Sequence, residues 1–148
     1  ESMGLSNSEI GNVTAFMGLC WAFGAGYLSK KMLHHFTSSF LINATFMSFA
    51  VICSLITFSE GTLLRILLIG LTVVAAAVAW PVYTNLLSAK AAPEMRGKVL
   101  GISQSMQSLA MAVSPLVAVA SYFHIHLPFF IATISSCIAC IIFFRSKI

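Results

Sequence analysis

The stretch AAPEMRGKVLGISQSMQS, residues Ala91–Ser108, is where an otherwise oily chain turns briefly polar. Pro93, Glu94, Arg96, Gly97 and Lys98 stand between two long apolar runs. A short basic hinge of this kind has meaning only in the context of what it joins. The chain has 148 residues, of which 59% are hydrophobic and 8% charged, and it contains no Asp. Its mean hydropathy is +0.96. A soluble domain carries roughly 25% charged residues. So few charges cannot cover a water-facing surface, and the composition reads as an integral membrane protein.

A spanning helix needs about 20 mostly apolar residues. Five such runs are legible, at about 7–29, 36–58, 62–88, 97–121 and 127–144. The gaps are short, so consecutive helices are expected to be antiparallel neighbours. The fold class expected is all-α, a polytopic bundle of five spanning helices in one partial transmembrane domain over residues 1–148. Period-2 alternation is missing, which argues against a membrane barrel. Lys30 and Lys31 follow the first run. Lys90, Arg96 and Lys98 lie between the third and fourth, and Arg145 and Lys147 follow the fifth. With alternating helices all seven fall on one side, leaving Arg65 with Glu1, Glu9 and Glu60 on the other. Basic loops stay cytoplasmic, so the N-terminus is expected outside and the C-terminus inside. This asymmetry accounts for a pI near 9.1 and calls for no nucleic-acid partner; the lipid bilayer is the expected one. An outside N-terminus without a leader suggests that something upstream is missing.

Local patterns refine the five runs. Ser6 and Glu9 fit a capping box, with Leu5 and Ile10 as the flanking hydrophobic staple. On a helical wheel Gly11, Ala15, Gly18, Ala22 and Gly26 share one face of the first run, opposite Phe16, Leu19 and Phe23. Small residues allow close approach of membrane helices, so that stripe is expected to be a packing face, flanked by Thr14 and Trp21. Asn43, polar in mid-membrane beside Ser39, Ala50 and Ser54, should face protein rather than lipid. Trp80-Pro81 sits inside the third run, where proline removes a backbone donor. Gly70, Ala76, Ala77, Trp80, Tyr83 and Thr84 cluster on one face there. Trp80 is expected to meet protein or a cavity; Tyr83 fits a cavity or an interfacial anchor equally. The fourth run divides into Ile102, Met106, Leu109, Val113 and Val117 against Gln104, Gln107, Ser108, Met111 and Pro115. Two glutamines in hydrocarbon need partners or water. Their face is expected to line a wet cavity, with a hydrogen-bonded seam as the alternative.

Several chemistries are excluded or disfavoured. Cys137 and Cys140 form a C-x-x-C inside an apolar run, where no accessible thiolate is expected; with Cys20 and Cys53 they read as small apolar filler. His124 and His126 would need further ligands to hold a metal, so neither metal nor cofactor is expected. With no Asp and no buried Glu, an acid/base pair or a triad cannot be assembled, and an enzyme is not expected.

The hinge together with the helix after it, APEMRGKVLGISQSMQSLAMAVSPLVA, resembles the connection between the tenth and eleventh helices of the major facilitator superfamily. More narrowly, it is similar to the drug-efflux and tetracycline-efflux-like branch. The matching positions are Pro93, Glu94, Arg96-Gly97, Gly101, Gln104-Ser105 and Ser114-Pro115. GLSNSEIGNVTAFMGLCWAFGAGYLSKK resembles that family's eighth helix and the basic loop after it, and PFFIATISS the opening of its twelfth. The five runs would then be helices eight to twelve, from the C-terminal half. A register on helices two to six is disfavoured because GYLSKKMLHHF lacks the Asp and the Arg-rich pattern of the second-to-third loop.

The resemblance implies secondary transport by alternating access, with a small-molecule substrate held between two halves near mid-membrane. It implies efflux by an antiporter of the cell inner or plasma membrane. It also implies a partner, the N-terminal half that these residues lack. Cavity walls would come from the third run with contributions from the first and fourth, making Thr14, Trp21, Trp80, Tyr83, Gln104 and Gln107 the candidate cavity residues. Lys30, Lys31, Glu94, Arg96 and Gly97 would belong to the cytoplasmic gate and loops, Gly97 and Gly101 letting the fourth run start close to a neighbour. A self-standing five-helix subunit that packs with a partner and transports nothing is the alternative.

Overall fold

The structure, a computed structural model, describes residues 6–120 and 127–145. Those residues form helices joined by tight connections. α1 (Asn7–Phe23) passes through a π-helical turn (Gly24–Leu28) into α2 (Ser29–His35). α3 (Ser38–Phe58) and α4 (Thr62–Lys90) follow. A 3₁₀ turn (Pro93–Met95) leads into α5 (Arg96–Ala120), and α6 (Leu127–Arg145) closes the described chain. Among the described residues three helices, α3, α4 and α6, are long and apolar enough to cross a membrane. The five expected spans are therefore only partly seen. The first is divided by the π turn, leaving 17 residues in α1. The fourth, α5, is diluted by Gln104, Gln107 and its serines.

α1 starts where its capping box places it. The Ser6 hydroxyl accepts from the Glu9 N–H, and the Ser6 N–H donates to Glu9 Oε2 at 2.7 Å. Two backbone donors of the first turn are thereby satisfied. Leu5, the other half of the expected staple, lies outside the described residues, as do His124 and His126. Lys30 and Lys31 do not form a loop. They continue the helix as part of α2, because nothing in Gly24–Leu28 breaks the backbone ladder; it only widens it.

The directions of the helices follow from which residues meet. A β-carbon added at Gly70 would lie 2.7 Å from the Phe16 ring and 3.4 Å from Cys20 Sγ. One added at Gly24 would lie 2.8 Å from Ala77 Cβ and 2.9 Å from the Val74 carbonyl. Contacts thus advance along both helices together, so α1 and α4 run parallel, as the first and third of an alternating series must. At one end Leu41, Ile42 and Val82 form a buried cluster, with Met32, Leu33, Leu86 and Phe143 packed against it. That cluster draws α2, the start of α3 and the ends of α4 and α6 to the same end of the bundle. Lys30, Lys31, Lys90, Arg96 and Arg145 therefore share an end, as the charge pattern requires. At the opposite end Arg65 donates from Nε and Nη2 to the Ser59 carbonyl. Its guanidinium sits on the C-terminus of α3, where a cation is favoured by the unsatisfied carbonyls.

The small-residue stripe of the first run is not the packing face within this chain. Gly11, Ala15, Gly18, Ala22 and Gly26 are all exposed, and a β-carbon at Gly11, Gly18 or Gly26 would meet nothing within 4 Å. The half-buried residues of α1 are Val13, Phe16, Met17 and Cys20, on the other side. Gly97 and Gly101 likewise face open space rather than a close neighbour. Close approach is achieved instead at Gly24 and Gly70, one glycine from each side of the α1–α4 pair.

Candidate transport cleft

A hydroxyl in a membrane helix can satisfy itself by donating to a carbonyl one turn back. Many of the described ones do. Thr14 bonds Ile10, Ser48 bonds Ala44, Ser54 bonds Ala50, Thr57 bonds Cys53, Ser105 bonds Gly101 and Ser108 bonds Gln104. A carboxamide carries an oxygen that can only accept, so no carbonyl one turn back can satisfy it and it must find another partner or stay unmet. Asn43 finds one: Cys140 Sγ donates to Asn43 Oδ1 at 3.9 Å, joining α3 to α6. Asn43 is the inter-helix tie its position predicts, and Cys140 contributes a weak thiol donor rather than chemistry. All four cysteines are free, and Cys53 is buried.

Gln107 does not find a partner. Its Oε1 is buried and accepts no hydrogen bond. The residue lines a cleft of about 480 Å³ between α4 and α5, walled by Trp80, Tyr83 and Leu87 on one side and Val99, Ile102, Ser103 and Met106 on the other. Trp80 and Tyr83 also border a second, almost wholly apolar cavity of about 380 Å³, reaching α3 at Ile42, Thr45, Phe46 and Phe49 and α6 at Ser136. The two aromatics thus form a partition with a hollow on each side. Pro81 lies between them in sequence and cannot donate to the Ala77 carbonyl. The Thr84 hydroxyl donates to the Trp80 and Pro81 carbonyls at 3.1 Å each, which supports the helix where proline weakens it.

Of the six expected cavity residues, Trp80, Tyr83 and Gln107 come together in this cleft. Gln104 does not; it is exposed beside Ser108 on a different side of α5. The helix is rotated so that the Ile102 and Met106 edge, expected to oppose Gln107, enters the cleft with it. Thr14 is exposed and bonded to its own helix, and Trp21 is 45% exposed. Both lie on the side of α1 turned away from the Phe16 contact, so neither reaches the cleft. Ser103 and Val99 were missed by sequence reading, and nothing in their chemistry singles them out.

At the basic end, Lys30, Lys31, Glu94, Arg96 and Gly97 are all exposed. The Lys31 ammonium stands 5.9 Å from the centre of the Tyr27 ring, a cation–π distance. Glu94 sits in the 3₁₀ turn that brings α4 into α5. The basic hinge is therefore a compact turn at the charged end of the bundle.

The family model described as Major Facilitator Superfamily matches residues 1–147. Comparison with curated proteins and with solved structures gives no match.

Proposed function

The chain belongs to the major facilitator superfamily, and on that premise we propose that it supplies helices eight to twelve of a secondary transporter working by alternating access. Members of the family are membrane transport proteins, not enzymes. The substrate path proposed runs through the α4–α5 cleft, past Trp80 and Tyr83, with Gln107 as its hydrogen-bonding group. The small-molecule substrate would lie against this wall, with an N-terminal half of the transporter as the opposing one. The proposed orientation puts the Lys30, Lys90 and Arg145 end in the cytoplasm of a plasma or inner membrane, and efflux is the proposed direction.

One observation carries the reading: a buried carboxamide oxygen without a partner, facing a cleft. A polar group buried this way is costly unless water or a ligand meets it. The test is thiol accessibility in native membranes. Gln107→Cys should react with a small hydrophilic thiol reagent, and Ile138→Cys, exposed on α6 and outside the lining of both hollows, should not. Gln107→Ala should lower transport by the complete protein while leaving expression near normal. An inert Gln107→Cys with unimpaired transport would overturn the assignment.

A further inference from the structure

The buried and half-buried residues up to the start of the π turn and those from its end onward do not lie on one face of an unbroken α-helix. Val13, Phe16, Met17, Cys20 and Gly24 centre on one direction; Leu28, Ser29, Met32 and Leu33 centre on another. At 3.6 residues per turn the two directions differ by roughly 130°. The π turn at Gly24–Leu28 inserts one extra residue, worth roughly 100° of rotation. It brings both sets to bear on the same neighbours, α4 for the first and the Leu41–Ile42–Val82 cluster for the second.

We infer that the π turn is a register switch: it stores one residue that α1 can take up by rotating about its axis while α2 stays fixed. α2 is the anchored side, with Met32 and Leu33 in the end cluster and Ser29 buried, its hydroxyl bonded to the Ala25 carbonyl. When the turn relaxes to α geometry, each place on α1 passes to the next residue. Val13, Phe16 and Cys20 give way to Thr14, Met17 and Trp21, and α1 rises by about 1.5 Å. The face turned to α4 exchanges a ring and a thiol for a hydroxyl and an indole N–H. The place of Gly24 passes to Ala25, whose β-carbon would meet Ala77 Cβ and the Val74 carbonyl at under 3 Å. The slip is therefore coupled to a lifting of α1 from α4, and Gly24 holds the observed register while the helices are closed. π turns recur at functional sites in helices, and this one sits where α1 meets the helix that walls the cleft.

Disulfide trapping in native membranes tests the switch without a known substrate. The full chain carries Cys53→Ala, Cys137→Ala and Cys140→Ala, with Phe16→Ala to clear the ring edge from Gly70. In the observed register Cys20 Sγ is 3.4 Å from the β-carbon position of Gly70, within disulfide reach. Cys20 with Gly70→Cys should cross-link readily under mild oxidant. The slipped register is reported by Trp21→Cys with Gly70→Cys and Cys20→Ser, which should cross-link more slowly by about ten-fold or more, as for a minor state. Deleting Gly26, where an added β-carbon would meet nothing within 4 Å, removes the stored residue and leaves α1 facing as it does now. That deletion should spare the first cross-link and abolish the second. The inference fails if the second never forms, if it forms equally with and without Gly26, or if the first is absent.

Discussion

Replacing Gly24 by Ala isolates one close backbone approach between helices. The new β-carbon would stand 2.8 Å from Ala77 Cβ, 2.9 Å from the Val74 carbonyl and 3.3 Å from Val74 Cα. All three belong to or adjoin the α4 backbone, and Ala77 has no accessible surface, so nothing can swing aside. Overpacking of this kind costs about 1–3 kcal/mol. Alanine also gains up to about 1 kcal/mol of helix propensity over glycine. Gly26→Ala carries the same propensity gain into open space, so the difference between the two variants isolates the overpacking term. Gly70→Ala should fall between them, because its nearest neighbours are the edge of the Phe16 ring and a thiol. Adding Phe16→Leu to Gly70→Ala should relieve the clash non-additively. The assay is the apparent melting temperature of detergent-purified full protein, at roughly 2–4 °C per kcal/mol for chains of about this size. Equal melting of Gly24→Ala and Gly26→Ala would refute the α1–α4 contact.

Other expectations are more local. Ser6→Ala removes the capping box and should cost about 1 kcal/mol, read as lost protection of the Asn7–Gly11 amides in hydrogen exchange. Thr84→Val removes the hydroxyl that serves the Trp80 and Pro81 carbonyls; a loss of about 0.5–1.5 kcal/mol should appear in the same melting assay, and no change would show that those carbonyls need no second donor. Arg65→Met strips the cation from the end of α3 and should destabilise by about 0.3–1 kcal/mol, with Arg65→Lys recovering part of it. A cysteine at Glu60 should be labelled from outside intact cells by an impermeant thiol reagent while one at Lys98 stays silent; the reverse pattern would invert the orientation.

Helix existence was legible because long apolar runs leave little alternative, and the Ser6–Glu9 cap was legible because its chemistry is local. Element ends fell within about two residues of those read, except at the first run. There the Lys30-Lys31 pair looked like a loop, yet charge at the end of a membrane helix is compatible with the helix continuing into the polar zone. The face of α1 that packs within this chain was not legible, for a different reason. Gly11, Ala15, Gly18 and Ala22 all precede the π turn, and the spacing that defines their face equally defines the opposite one; which of the two meets α4 is set by Phe16 and Cys20 packing on Gly70. Trp80, Tyr83 and Gln107, which line the α4–α5 cleft, stand out in the sequence because large aromatics and a carboxamide contrast with alanine and leucine. Gln104 could not be separated from Gln107 by spacing alone, since the rotation of α5 about its axis is set by contacts with α4 and α6 that no local pattern encodes.

The parallel pairing of α1 with α4 has a consequence for how the chain is assembled during synthesis. α3 meets α4 as soon as the hairpin at Ser59–Gly61 emerges, but the partner of Phe16, Cys20 and Gly24 lies some fifty residues downstream of them. Until α4 leaves the ribosome and enters the bilayer, that face of α1 lacks its contacts with Gly70, Val74 and Ala77. The docking of α1 on α4 is therefore a late step that follows formation of the α3–α4 hairpin.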